Sequence, residues 1–182
     1  AGFGDRETIT VDWNGAKTAA AVTGGKVTLP VTAPASPAPR SFPPPKRRGL
    51  CGPCEEVFDT RFLVVQGTAG DAAQDEDLAR KVARWAKEWD DFADGLPVVK
   101  TDTEVTPEDL KSCNLVCFGT PQTNAVLARL ADKLPVTIGD HRYVIKGHEY
   151  RGEDLGLVMC YPSPLSPEDH YVLIYAGEYY GE

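Results

Sequence analysis

One segment in the second half of the chain constrains the fold more than any other. Residues 114–118, Asn-Leu-Val-Cys-Phe, form a short apolar run that leads into a Gly-Thr-Pro turn at 119–121. Thr123 or Asn124 is then placed to cap a helix. The apolar side chains that share one face of this helix are Val126, Leu127, Leu130 and Leu134. A strand, a tight turn and a helix in this order are half of a parallel β/α crossover.

Two similar units precede this segment. A buried-strand run at 62–67 ends in glycine, and a helix is expected at 75–95. One apolar stripe follows that helix, made by Leu78, Val82, Trp85, Trp89 and Phe92. A short strand begins at 98–99, and Thr106 then starts a second helix with proline at its first position. A hairpin at 136–152 and two further strands, at 156–161 and 171–175, follow.

These patterns predict three parts. Residues 1–29 read as a small β-hairpin segment, with turn signals at Asn14-Gly15 and Gly24-Gly25. Residues 30–46 read as a proline-rich linker, since seven of the fifteen prolines lie between 30 and 45. Residues 47–182 are predicted to form one α/β domain, a Rossmann-like or flavodoxin-like three-layer sandwich with a mostly parallel sheet and β-rich C-terminal additions.

The charge of the chain excludes some partners. Net charge is −8; residues 1–50 have a balance of +4, so residues 51–182 have a balance of −12. An acidic body argues against nucleic-acid binding, which needs a basic face. The longest apolar runs are too short to span a bilayer. The only methionine is Met159, so Ala1 is not an initiator, and we expect either a removed leader or a fragment of a longer protein.

The chain also resembles a known family. Residues 123–135, Thr-Asn-Ala-Val-Leu-Ala-Arg-Leu-Ala-Asp-Lys-Leu-Pro, look like part of the C-terminal module of secreted bacterial serine hydrolases of the prolyl-oligopeptidase (S9-like) group. Residues 100–110 are similar to the segment that enters its second helix, and 161–167 with 171–174 to its closing turn and strand. The resemblance covers roughly residues 47–178 in separate blocks.

The resemblance implies a non-catalytic accessory module that is secreted or periplasmic. The catalytic domain of such proteins lies upstream, and its serine, acid and histidine have no counterparts here. The five serines of the chain lie outside any Gly-x-Ser-x-Gly elbow. The expected partner is a hydrolase catalytic domain or another copy of this chain, and we expect no cofactor and no metal.

A second hypothesis is a small-molecule or anion site at the carboxyl ends of the parallel strands, where open α/β sheets bind ligands. Backbone amides and hydroxyls at a helix start can hold a small anion. The residues in these loops are Gly67, Thr68, Gly119, Thr120, Thr123 and Asn124. The alternative, which we favour, is that they only make tight turns and helix caps.

A third hypothesis is a dithiol oxidoreductase, because Cys51-Gly-Pro-Cys54 is identical to the thioredoxin tetrad. That chemistry needs the first cysteine at the start of a helix, where its pKa falls. Here Glu55 and Glu56 follow, which would raise a thiol pKa, and a strand begins too soon for a useful helix. We therefore expect a local disulfide between Cys51 and Cys54. The remaining cysteines, Cys113, Cys117 and Cys160, are expected in core strands.

Overall fold

The computed structural model describes residues 7–13, 16–29, 42–166 and 170–178. By backbone contacts the chain divides into two compact units, residues 1–40 and 41–182. Most of the predicted linker, residues 30–41, lies outside the described residues, as does the Asn14-Gly15 turn.

The first unit contains an antiparallel sheet of three strands. Strand β1 (Thr8–Trp13) pairs with β2 (Ala16–Thr23), and β2 pairs with the short β3 (Lys26–Val27). Gly24 and Gly25 join the last two strands with φ values of 58° and 72°. Left-handed backbone at both positions is the requirement that a Gly-Gly turn meets without steric cost.

The second unit is built on a mixed sheet of five strands in the order β10-β11-β6-β4-β5. Its strands are β4 (Phe62–Gln66), β5 (Val99–Thr101), β6 (Asn114–Phe118), β10 (Gly156–Pro162) and β11 (Tyr171–Gly177). All neighbouring pairs are parallel except the edge pair β10–β11. A separate antiparallel sheet contains β7 (Val136–Gly139), β8 (Arg142–Ile145) and β9 (His148–Arg151).

Three α-helices occur in the described chain: α1 (Ala72–Ala93), α2 (Pro107–Ser112) and α3 (Ala125–Ala128). Two 3₁₀ turns lie at Cys54–Phe58 and Ala131–Lys133. The helix start predicted at Thr106 is confirmed, because the Thr106 hydroxyl accepts the amide of Asp109 at 3.2 Å and Pro107 follows the cap. No helix in the described ranges combines the length and apolarity needed to cross a membrane.

The predicted Rossmann-like or flavodoxin-like three-layer sandwich is wrong. Among the described residues, strands hold 35% and helices, with the 3₁₀ turns included, 26%; the strands form three separate sheets, two of them antiparallel. The physical reason is that only α1 is long. Helix α2 has six residues and α3 four, too few to cover a sheet face.

The two faces of the central sheet are buried in different ways. Alternate strand residues point to opposite faces. Leu63, Leu115 and Val172 face α3 and the small sheet, where Val136, Ile138 and Tyr143 complete the core. Val64, Val116 and Leu173 face α1 and the 3₁₀ turn at 54–58, with Leu78, Val82, Trp85 and Val57. On the face opposite α1, an antiparallel sheet thus occupies much of the place that a second layer of helices would have in a three-layer sandwich.

Asn114, the first residue of β6, joins three separated parts of the chain. Its buried side chain donates to the carbonyl of Val57 at 2.7 Å and to the hydroxyl of Thr60 at 3.0 Å. Its carbonyl oxygen accepts the backbone amide of Tyr171 at 2.8 Å, at the start of β11. The segment that carries the 3₁₀ turn is therefore fixed to the start of two strands by one amide group.

We expect Asn114→Leu to destabilise the chain by about 2–4 kcal/mol, because it leaves two buried backbone groups without partners. Thr60→Ala is the matched control: it removes one of the three bonds and leaves both backbone groups bonded, so a loss of about 1 kcal/mol or less is expected. Urea unfolding of both variants measures the difference. Equal losses would contradict the role given to Asn114.

Candidate functional site

The loops after β4 and β6 meet at the carboxyl ends of the parallel strands, as the sequence predicts. The amide of Gly67 donates to the carbonyl of Phe118 at 3.2 Å, and the amide of Ala69 donates to the carbonyl of Thr123 at 3.0 Å. A side chain at position 67 would collide with the carbonyl oxygen of Thr123. Gly67 therefore permits close packing of one loop on the other.

Asn124, rather than Thr123, caps α3, and it is completely buried. Its carbonyl oxygen accepts the amides of Val126 and Leu127 at 3.0 and 3.2 Å. Its amide nitrogen donates to Phe118 at the end of β6, at 3.0 Å, and more weakly to Val65 in β4, at 3.4 Å. Every polar atom of this side chain is used within the fold.

Thr120 and Thr123 close the turn between β6 and α3. The amide of Thr120 donates to the hydroxyl of Thr123 at 2.9 Å, and both residues are buried. Gly119 adopts a φ of 119°, and a side chain there would crowd the Thr123 hydroxyl. These residues make the tight turn, and their polar groups bond to one another within it.

A carboxylate of the protein itself lies where an anion was predicted. Asp102 follows β5, also at the carboxyl end of its strand, and its side chain is 6% exposed. One of its oxygens accepts the hydroxyl of Thr68 at 2.6 Å, and the other accepts the amide of Ala125 at 2.6 Å. The six predicted residues thus come together, but Asp102 already satisfies two of the donors that would bind a ligand.

The position of Asp102 in the sequence is itself a signal for this role. An acidic residue directly after a parallel strand lies at the carboxyl end of the sheet, where the loops after the other parallel strands also lie. Its contact with Ala125 depends on strand order, which places β5 on the same side of β6 as β4 and only one strand away from it. Strand order is not visible in one sequence.

Cys51 and Cys54 are both exposed free thiols, so the expected disulfide between them is not formed in this structure. Cys54 begins a 3₁₀ turn of five residues, and Cys51 precedes that turn. The Cys51 sulfur lies 3.5 Å from a carboxylate oxygen of Glu56. A hydrogen bond to this carboxylate, with some burial and its negative charge, raises the pKa of Cys51. That shift is opposite to the one a dithiol oxidoreductase needs.

Glu56 and Tyr171 hold the loop that carries these thiols. The Tyr171 hydroxyl donates to Glu56 at 2.6 Å and accepts the amide of Gly52 at 2.9 Å. The hydrogen bond from Tyr171 lowers the pKa of Glu56. Burial and the Glu56 carboxylate together raise the pKa of Tyr171. The pair is a fixed attachment of the loop to β11.

The remaining cysteines lie in the core or against it. Cys113 and Cys117 are buried and Cys160 is partly buried. Burial strongly raises the pKa of Cys117, so this thiol stays protonated. Across the parts of the chain that the structure describes, no three histidine, cysteine or acidic side chains are grouped as metal ligands.

An open aromatic groove lies between α1, the 3₁₀ turn at 54–58 and β11, and the sequence patterns do not predict it. Its volume is about 230 Å³. It is lined by Phe58, Trp85, Glu88, Trp89, Phe92 and Tyr175. The rings of Trp85 and Trp89 stack with centroids 5.6 Å apart and planes 10° apart, and Phe58 lies 4.8 Å from Trp89. We call this feature the aromatic groove.

The groove exists because α1 is longer than the sheet it covers. The 22 residues of α1 span ~33 Å, whereas the five residues of β4 span ~17 Å. The predicted apolar stripe is buried from Leu78 to Trp85, but Phe92 near its end is 83% exposed. Leu96 and Val98, just beyond the helix, are 76% and 60% exposed. Regular spacing reveals the stripe but not where the sheet beneath it ends.

We expect Asp102→Ala to lower stability by about 1–3 kcal/mol, because the amide of Ala125 and the hydroxyl of Thr68 lose their acceptor. Added formate, a free carboxylate of similar size, should restore part of the loss. Thermal unfolding with and without formate, at matched ionic strength, measures this rescue.

The wild-type chain is the control for this rescue, and phosphate or formate should not shift its unfolding temperature. A clear stabilisation of wild type by phosphate would contradict the internal role of Asp102 and favour the anion site.

Comparison with known proteins leaves the chain without an assigned family. No family model, curated protein or solved structure matches it. The resemblance to the S9-like hydrolase module therefore stays a prediction.

Proposed function

We propose that this chain is a non-catalytic interaction module that binds a partner protein through the aromatic groove. The observation that carries the proposal is the grouping of five aromatic side chains around an open groove, next to the exposed Phe92. Exposed apolar side chains that form a patch mark binding surfaces far more often than isolated ones do. Tryptophan and tyrosine are also the residues that contribute most at protein interfaces.

The groove has the rigidity that a binding site needs. Trp89 is held between Phe58 and Phe62, whose ring centroids lie 4.8 and 4.9 Å from it. Trp85 in turn packs on Phe118 in the central sheet, at 5.9 Å. Because these rings are already ordered, they lose little conformational entropy when a partner binds.

Charge indicates the chemistry of the partner. The end of α1 carries Asp90, Asp91 and Asp94, and its last turn has no basic residue. A helix C-terminus is already negative, so each of these acids costs about 0.3–1 kcal/mol at that position. Lys87 offsets only part of this through its ion pair with Asp91. These acids destabilise the end of α1, but they would attract a partner with basic side chains.

The proposed partner is therefore a protein surface with an aromatic or aliphatic anchor bordered by lysine or arginine. A second copy of this chain fits this face less well, because the pairing would bring two acidic rims together. A hydrolase catalytic domain with such a basic surface is the partner that the sequence resemblance implies, in a secreted or periplasmic setting.

The two rival functions have less support. The bonds from Thr68 and Ala125 to Asp102 oppose an anion site. Glu56 opposes a reactive thiolate at Cys51, since it stabilises the protonated thiol. Either rival would also leave the exposure of Phe92 unexplained.

A displayed library of short peptides tests the proposal. We expect the selected peptides to contain an aromatic or leucine anchor beside lysine or arginine. Phe92→Ser should weaken their binding at least about tenfold, the usual loss for an anchor residue. Because Phe92 is mostly exposed, this variant should keep wild-type stability. Calorimetric titration of the best peptide measures affinity, and added salt should lower it.

Tyr150→Ser is the matched control, because Tyr150 is 50% exposed on β9 of the separate antiparallel sheet, which packs on the face of the central sheet opposite to α1. It should bind as wild type does. Selection of acidic peptides, equal binding by the Phe92 variant, or hydrolysis of ester or prolyl-peptide substrates by the purified chain would contradict the proposal.

A further inference from the structure

The loop of Cys51 to Glu56 lies against the start of β11. The hydroxyl of Tyr171 contacts both Gly52 and Glu56, at 2.9 and 2.6 Å. Val57, in the 3₁₀ turn that Cys54 begins, is completely buried in the core on the α1 face of the sheet. The turn and its first thiol are thereby fixed over one end of β11.

Cys160 faces the same side of the sheet. Strands β10 and β11 are antiparallel, and Cys160 lies directly opposite Leu173. Residues that oppose each other in an antiparallel pair project to the same face. Leu173 belongs to the core formed with Val57, and Cys160 packs against that core as a partly buried side chain. The Cys160 side chain therefore lies on the face of the sheet that also carries the 3₁₀ turn.

Cys54 and Cys160 are close enough to influence each other. Burial raises the pKa of Cys160 to about 12, and interaction with the Cys54 thiol contributes next. Cys51 is oriented differently, since its sulfur lies 3.5 Å from both the Gly52 carbonyl and the Glu56 carboxylate. Cys54 is exposed, so a small oxidant reaches it directly.

We propose that Cys54 and Cys160 form a disulfide under oxidising conditions, and that Cys51 remains a free thiol. This pairing replaces the Cys51–Cys54 disulfide expected from the sequence. It would join the 3₁₀ turn to the edge strand β10 and close a loop that contains most of the second unit. The observations that support this disulfide do not depend on partner binding at the aromatic groove.

The oxidant is a low-molecular-weight disulfide such as glutathione disulfide. The Cys54 thiol, after losing its proton, attacks one sulfur of that disulfide and expels one small thiolate. Cys160 then loses its proton and attacks the mixed disulfide at Cys54, which expels the second small thiolate. The protein loses two electrons and two protons, and the small disulfide becomes two thiols.

Tryptic mapping of the folded, oxidised chain identifies the pairing. Trypsin leaves Cys51 and Cys54 together in peptide 49–61 and Cys160 in peptide 152–182, because neither segment has an internal lysine or arginine. After oxidation by glutathione disulfide and alkylation of free thiols, we expect the two peptides to be cross-linked, with one alkylated cysteine.

Two variants assign the cysteine in peptide 49–61. Cys51→Ser should keep the cross-link and Cys54→Ser should lose it. An internal disulfide within peptide 49–61 of the wild-type chain would overturn the proposal. A cross-link that survives Cys54→Ser and disappears in Cys51→Ser would also overturn it.

Thermal unfolding gives a second readout that needs no variant to fold. Closing so long a loop should raise the unfolding temperature of the oxidised wild type by about 10 °C over the reduced form. Cys51→Ser should show the same rise, and Cys160→Val should show none. Equal unfolding temperatures of oxidised and reduced wild type, or a full rise in Cys160→Val, would contradict the proposed bond.

Discussion

Two buried asparagine side chains, one at each end of β6, hold the second unit together. Asn114 connects the start of β6 to the 3₁₀ turn and to β11. Asn124 connects the end of β6 to the start of α3, with a weaker bond to β4. A primary amide both donates and accepts, so each side chain satisfies backbone groups on several segments at once. Apart from α1, the α-helices of this unit are only one to two turns long. These hydrogen bonds therefore hold segments together that longer helices would otherwise fix by packing.

The same use of polar groups explains why the predicted ligand loops are not an open site. Parallel strands end together and leave amides and hydroxyls at one edge, which is why ligands commonly bind there. Here Asp102, Thr123 and Asn124 are buried and take up those groups. The polar groups at these strand ends bond to one another, whereas the open groove beside α1 is lined mainly by aromatic side chains. The proposed function therefore rests on the aromatic groove and not on the loops at the carboxyl ends of the strands.

The sequence predicted the elements that depend on local patterns and failed on those that depend on length and register. The Thr106 cap and the strands at 62–66 and 114–118 are where the spacing places them. Helix α3, in contrast, ends at Ala128 although its apolar pattern continues to Leu134. A 3₁₀ turn and β7 follow instead, so the third layer was overestimated. The contact of Asp102 with Ala125 and the exposure of Phe92 depend on which strands are neighbours and where the sheet ends.

The thiol pair and the aromatic groove share one structural element, the 3₁₀ turn at Cys54–Phe58. Its first residue is Cys54, the thiol proposed to pair with Cys160, and its last residue, Phe58, lines the groove beside Trp89. A disulfide at Cys54 would restrict this five-residue turn at one end, while Val57 already fixes it in the core. Restricting the turn leaves Phe58 fewer positions before a partner arrives, and affinity rises when order is present before binding. Oxidation would then strengthen partner binding without adding a contact.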